Sequence, residues 1–347
     1  MAGGVRTVKI KFEGDSAGLK KGAEDGEKAV TKWQRGVQGA VKAANTAANI
    51  GGAAIAAALA AAVGAGLEQS QIKAKLAAQL GASGADAARY GDAAGDLYGK
   101  GFVGSMDEAA NAVKTTLQNG LVPKDAGKAE LDAVAGRVAA LAITLDEDAS
   151  AVGRAVSQMV KTGIADSAEE AFDILAKGTQ LGINKSEDLL DTFNEYGTQF
   201  RKLGLDGPQA LGLLSQAIQA GARDSDVAAD ALKEFSIRAI DGSKSTAEGF
   251  KALGLDAKLM GKNIAAGGDS ANEALDVTLD KLRAIKDPVA RNAAAVKLFG
   301  TQAEDLGDAL FAIDPSKAAD GIGAVGGAAD KMGKTLEESA GAKVQAF

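Results

Sequence analysis

One local pattern recurs four times in this chain and commits it to a helical fold. Ser105 is followed by Ala109, Val113, Leu117 and Gly120, and Asp148 by Val152, Val156, Val160 and Gly163. Ser167 leads in the same way to Ala171, Leu175, Thr179 and Gly182, and Asp206 to Ala210, Leu214, Ile218 and Gly221. A Ser or Asp accepts hydrogen bonds from the free N–H groups of a first helical turn. Small or apolar residues at every fourth position then share one face. The closing glycine supplies the left-handed conformation that stops a helix. Each unit predicts a helix of about four turns with one adhesive face. Ser105 with Glu108 and Ser167 with Glu170 also have the spacing of a capping box. None of the fixed positions carries reactive chemistry.

Composition narrows the chemistry further. The 347 residues contain no histidine and no cysteine. That excludes disulfides, imidazole or thiolate metal sites, and nucleophiles that depend on Cys or on a Ser–His pair. Carboxylate-only or lysine-based catalysis is the remaining enzymatic class. Aromatic residues are 4% of the chain, while glycines number 45 and prolines 4. A core built largely of alanine gains little per side chain, at about 0.8 kcal/mol per buried CH₂, so it depends on close helix approach or on self-association. The net charge is −7, but before residue 43 nine basic residues outnumber five acidic ones. Their interleaving describes a solvated amphipathic helix better than a nucleic-acid arm, and no sequence-specific nucleic-acid binding is expected.

Along the chain, Val8, Ile10 and Phe12 alternate with Lys9, Lys11 and Glu13, the pattern of one short half-buried strand. Leu19, Ala23, Gly26, Val30, Trp33 and Val37 follow at coiled-coil spacing, with Trp33 as a seam residue. Ala43–Leu67 has no charged side chain and is long enough to span a bilayer, yet its many small residues equally suit a close-packed, self-associating helix. Shorter helices follow, with expected spans that include Lys128–Leu145, Ser186–Leu203, Ser225–Ile240, Ser270–Ile285 and Thr301–Ile313. In the tail, Ile322, Val325, Ala329, Met332 and Leu336 step by three and four residues, and Ala340, Val344 and Phe347 extend the stripe. This predicts a coiled-coil helix cut in mid-stripe, continuing beyond Phe347 in the native polypeptide. The expected fold is all-α: short helices in hairpins, flanked by long coiled-coil-like helices, with the one N-terminal strand. Its divisions are residues 1–67, 68–315 and 316–347.

Several stretches imitate sites. Gly321-Ile-Gly-Ala-Val-Gly326 has dinucleotide-loop spacing but follows Asp314-Pro315 and a helix, whereas such a loop needs a preceding strand. Asp146, Glu147 and Asp148 could hold a hard cation, but carboxylates at a helix start are explained by capping and the helix dipole. The same applies to Asp224 and Asp226 around Ser225, and to Glu187 and Asp188 after Ser186. Tyr90, Tyr98 and Tyr196 are expected in the core or in grooves. No catalytic, cofactor-binding or metal-binding residue is assigned.

Ordered runs of residues resemble a known family. They are Val8-Lys-Ile-Lys-Phe12 with Asp15-Ser-Ala-Gly-Leu19, then the connectors Gly182–Asp188 and Ala220–Asp226. Ala231-Leu-Lys-Glu-Phe-Ser-Ile-Arg-Ala239, Phe250-Lys-Ala-Leu-Gly-Leu255, Val296-Lys-Leu-Phe-Gly300 and Glu304-Asp-Leu306 complete the set. In this order they resemble the N-terminal region of phage tail tape measure proteins. The resemblance implies a structural role in the virion: a helical ruler in the tail tube lumen, made in the host cytoplasm, that sets tube length and nucleates assembly. It implies partners among tail tube protein, tail-tip proteins, assembly chaperones and further copies of the chain, and release with the genome. It departs from the family's long rod, because glycine stops divide these residues into short helices that fold back. The alternative reading is a membrane-active helical protein whose Ala43–Leu67 segment contacts the host envelope.

Overall fold

The structure, a computed structural model, describes residues 69–101 and 103–338. The Val8–Phe12 strand, the seam around Trp33, the uncharged Ala43–Leu67 run and the last residues of the tail stripe lie outside them. The described residues belong to one of two compact units, Gln69–Phe347, and are all-α: helices and turns with no strand among them.

The four recurring units form helices where their caps predict. Met106–Gln118, Ala149–Thr162, Ala168–Gln180 and Gly207–Gln219 follow Ser105, Asp148, Ser167 and Asp206 as extended N-cap residues. The Ser105 and Ser167 hydroxyls accept from the N–H groups of Glu108 and Glu170 at 3.2 and 3.1 Å. Asp148 accepts from Ser150 N at 2.7 Å and Asp206 from Gln209 N at 2.8 Å. The reciprocal half of the box differs from expectation at both serines. Glu108 and Glu170 accept from Gly104 N and Asp166 N, one residue before the cap, at 2.8 and 2.7 Å. Those amides are equally without a helical partner. The complete capping box lies at Asp206, whose own N–H donates to Gln209 Oε1 at 3.1 Å.

The four-step stripe is buried, but unevenly. Ala109, Val113, Val152, Val156, Ala171, Leu175, Ala210 and Leu214 are all 0% exposed. The third members are less enclosed: Leu117 is 5% exposed and Val160 36%, and Thr179 and Ile218 are half-buried. A four-residue step turns about 400° on an α-helix, so the stripe rotates by about 40° per step and drifts toward the edge of the core by its third member.

Packing departs from a simple succession of hairpins. Gly84–Gly99 does pack on Met106–Gln118, and Ala257–Ala266 on Gly268–Ala284. Ala149–Thr162, however, packs chiefly on Leu189–Lys202, and Leu189–Lys202 on Ser225–Arg238. The reason is the helix skipped between the first pair. In Ala168–Gln180, residues Ala171 through Ala176 are consecutively buried, so the helix is covered on all sides. It touches Lys128–Leu145, Ala149–Thr162, Leu189–Lys202, Gly207–Gln219 and Ala328–Glu337.

Two expected single helices are broken. Thr301–Ile313 divides into Gln302–Leu306 and Ala309–Ala312, with Gly307 at φ 53° between them. The tail stripe divides into Ala318–Ile322 and Ala328–Glu337, separated by Gly323 and Gly327 at φ 67° and 77°. Up to residue 338 the tail is therefore not the start of a continuous rod. Ala318–Ile322 packs on Gly207–Gln219, and Ala328–Glu337 on Ala168–Gln180 and Lys128–Leu145. A three-and-four spacing measures only which residues share a face while the helix continues, and left-handed glycines interrupt it without changing the count.

Candidate functional site

Among the described residues, five of the runs that carry the family resemblance meet in space, in two groups. The two connectors are joined by Asp188, whose Oδ2 accepts from Ser225 Oγ at 2.8 Å and from Asp226 N at 2.9 Å. Ser225 Oγ also lies 2.9 Å from Thr192 Oγ1 in a buried contact, and Ser186 Oγ donates to Arg223 O. Asp188 makes no side-chain cap for its own helix; Asn184 Oδ1 accepts from Leu189 N there instead, at 3.0 Å. Glu187 takes a left-handed φ of 57° and so closes a turn. Asp188 thus stands at the start of its helix as expected, but its side chain does not cap it, and Glu187 lies in the turn before it. The free N–H groups of Ser225–Arg238 draw the Asp188 carboxylate across the connector pair. Asp224 caps that helix as expected, accepting from Val227 N at 2.9 Å.

Three of the other four described runs converge on an aromatic cluster. Phe235 stacks on Phe299 with centroids 4.8 Å apart and meets Phe250 edge-on at 6.5 Å. All three are 0% exposed. In a chain with ten phenylalanines, this cluster joins Ser225–Arg238, Lys244–Ala252 and Pro288–Phe299. Gln302 Nε2 donates to Asp230 beside it.

A third locking contact has no counterpart in the sequence reading. Asp173, 6% exposed, lies in mid-helix and accepts from Gly327 N at 2.7 Å and Ala329 N at 2.9 Å. It therefore caps the Ala328–Glu337 helix from another part of the chain. Arg137 Nε donates to Asp330 at 2.9 Å and its guanidinium lies 3.7 Å from Glu169. The Arg137 hydrogen bond holds the Asp330 carboxyl below its usual range. Gln216 makes a comparable clip, donating to Asp314 O at 3.1 Å and accepting from Asp314 N at 2.7 Å.

The remaining stretches that imitate sites resolve into structure. Asp146 is the left-handed C-cap of Lys128–Leu145, and Asp148 the N-cap of the next helix. The run therefore ends one helix as well as starting another. Hydrogen bonds from Ser150, aided by Asn111 and Lys114, hold the Asp148 carboxyl below its usual range. Gly321 and Ile322 lie in a short helix ending at the left-handed Gly323, with no strand among the described residues before it. Tyr90 is buried and donates to Lys124 O at 2.9 Å; Tyr98 is half-buried against the core. Tyr196 is buried under Lys233, whose Nζ lies 5.4 Å from the ring centroid. Burial, reinforced by Asp226 and Asp230, pushes its phenol up. Burial also raises the Asp276 carboxyl, whose Oδ1 is buried without a partner. Among the described residues, no three His, Cys, Asp or Glu side chains are placed to hold a metal ion. No described helix is long and apolar enough to cross a membrane.

Motifs spent on fastening helices to one another define a structural helical protein. Residues 91–300 match the family described as phage-related minor tail protein, and the chain belongs to that family. Its similarity extends to a probable tape measure protein of Streptomyces phage phiC31, at 45% identity over 239 residues. That stretch is 69% of this chain and 33% of the relative, so the chain spans about a third of that relative's length. Both matches support the tape measure resemblance read from the connectors and phenylalanine runs. No solved structure matches the chain.

Proposed function

We propose that this chain is the folded helical region of a tape measure protein. In this reading it nucleates tail assembly, while a longer part of the same polypeptide sets the length of the tail tube. The supporting observation is the 45% identity to a probable tape measure protein three times as long as the matched stretch. The fold supplies a second argument. An extended helical ruler gains about 1.5 Å per residue, but here the helices fold back and are clipped by Asp173, Asp188 and Gln216. Such a body adds little length and offers surfaces instead. The partners implied are the tail tube protein, tail-tip proteins, assembly chaperones and further copies of the chain. The site of action is the tube lumen, with departure at genome delivery.

The test is in-frame removal of residues 69–338 in the phage, with tails measured by electron microscopy. Loss of tails, or tubes of uncontrolled length, is the expected result. Tails shortened by about 1.5 Å per residue removed would place these residues within the ruler itself and overturn the assignment.

A further inference from the structure

The apolar row of the tail keeps its register across a break in the helix. Ile322, Val325, Ala329, Met332 and Leu336 step by three, four, three and four residues, the spacing of a coiled-coil seam. The backbone nevertheless turns back between Ala318–Ile322 and Ala328–Glu337, with Gly323 and Gly327 at φ 67° and 77°. Two short helices that pack separately need no common register. The folded-back state therefore gives no reason for the seven-residue interval from Ile322 to Ala329.

The grip on Ala328–Glu337 is light. Its buried residues are two alanines, Ala328 and Ala329, and Met332. The rest of the attachment is polar: Gly327 N and Ala329 N on Asp173, and Asp330 on Arg137. None of these groups requires that arrangement. In a helix running on from Ala318, Gly327 N and Ala329 N would donate to the carbonyls of Gly323 and Val325, four residues back. Asp173 and Arg137 would turn to water, so release leaves no donor or acceptor orphaned. A Cβ at Gly323 or Gly327 meets nothing within 4 Å. What these glycines supply is the left-handed backbone alone.

We propose that Ala328–Glu337 is a latch with two states. In one it is folded back onto Ala168–Gln180 and Lys128–Leu145. In the other, residues 318–338 form one continuous helix, and the row from Ile322 to Leu336 becomes an unbroken seam. The glycines are poor helix formers and hold the balance on the folded-back side. The proposal rests on the geometry of the tail and stands apart from the tape measure assignment.

Electron paramagnetic distance measurement on the full chain tests it. The chain has no cysteine, so Lys100→Cys with Lys334→Cys admits exactly one pair of spin labels. Both positions line one groove of about 330 Å³, and the labelled parent should give a short distance. Adding Gly323→Ala with Gly327→Ala should move the balance toward the continuous helix about a thousandfold, because each alanine gains helix propensity and is strained at positive φ. A longer, narrowly distributed distance should then appear while far-UV helicity rises. Gly323→Asn with Gly327→Asn should keep the short distance, since asparagine accepts the left-handed conformation and is a weaker helix former. A short distance retained by the alanine variant would overturn the proposal. So would a long distance in the asparagine variant, or a broad one accompanied by lost helicity in the alanine variant.

Discussion

Asp173 and Ala329 are 156 residues apart in the chain, yet the carboxylate of the first accepts the backbone N–H of the second at 2.9 Å. With Gly327 N at 2.7 Å, this gives the Ala328–Glu337 helix its N-terminal cap from within Ala168–Gln180. Replacing Asp173 by alanine leaves two backbone donors without that acceptor and opens a small void. The expected loss is about 2 kcal/mol, read as a lower urea midpoint. Hydrogen exchange should quicken first in residues 328–337.

Two glycines should respond in opposite directions to the same methyl group. A Cβ on Gly212 would overlap the carbonyl of Ala318, so Gly212→Ala must push the Ala318–Ile322 helix away. A Cβ on Gly136, inside Lys128–Leu145, meets nothing within 4 Å. Gly136→Ala should stabilise the fold by about 0.5–1 kcal/mol. Thermal melts of the two variants should shift to opposite sides of the parent.

Asp276 should weaken the fold near neutral pH. Its carboxyl is raised above the ordinary 3.8 by burial, then by Asp280, so folding disfavours the ionised form. That cost is full above the raised folded value and disappears as the pH falls to 3.8. Asp276→Asn should therefore raise the denaturation midpoint at pH 7, with the gain fading under acid conditions. An equal gain at both ends of the range would refute the ionisation account.

Asp148 has the opposite linkage. Its carboxyl is depressed, first by the Ser150 hydrogen bonds, so its contribution is present above 3.8 and lost as the pH falls through the lower folded value. Asp148→Ala should cost about 1 kcal/mol near neutrality, as losing an N-cap does, and progressively less in acid. Paired denaturation curves of parent and variant across the acid range check both sign and window.

The parts legible in the sequence are those decided within one helical turn. Ser105, Asp148, Ser167 and Asp206 announce their helices because a cap and the amides it serves lie two or three residues apart. Lys128–Leu145 has the span its composition predicts. The clips were not legible, because nothing near Asp173 or Asp188 in sequence indicates which distant N–H groups they will meet. Asp188, read as a first-turn residue of its own helix, instead serves a neighbour. The phenylalanine runs carried the family resemblance without revealing that Phe235, Phe250 and Phe299 touch. Likewise Ile322, Val325 and Met332 keep coiled-coil spacing across two left-handed glycines, so the spacing alone could not locate the break.

The slow rotation of the four-residue stripe limits how this fold can grow. Eight inner positions are sealed completely, while Val160 has already reached solvent by the third step. Adding turns to such a helix would carry its apolar row around to the wet side and recruit no further interior. Enlargement of the interior must proceed by inserting whole capped helices.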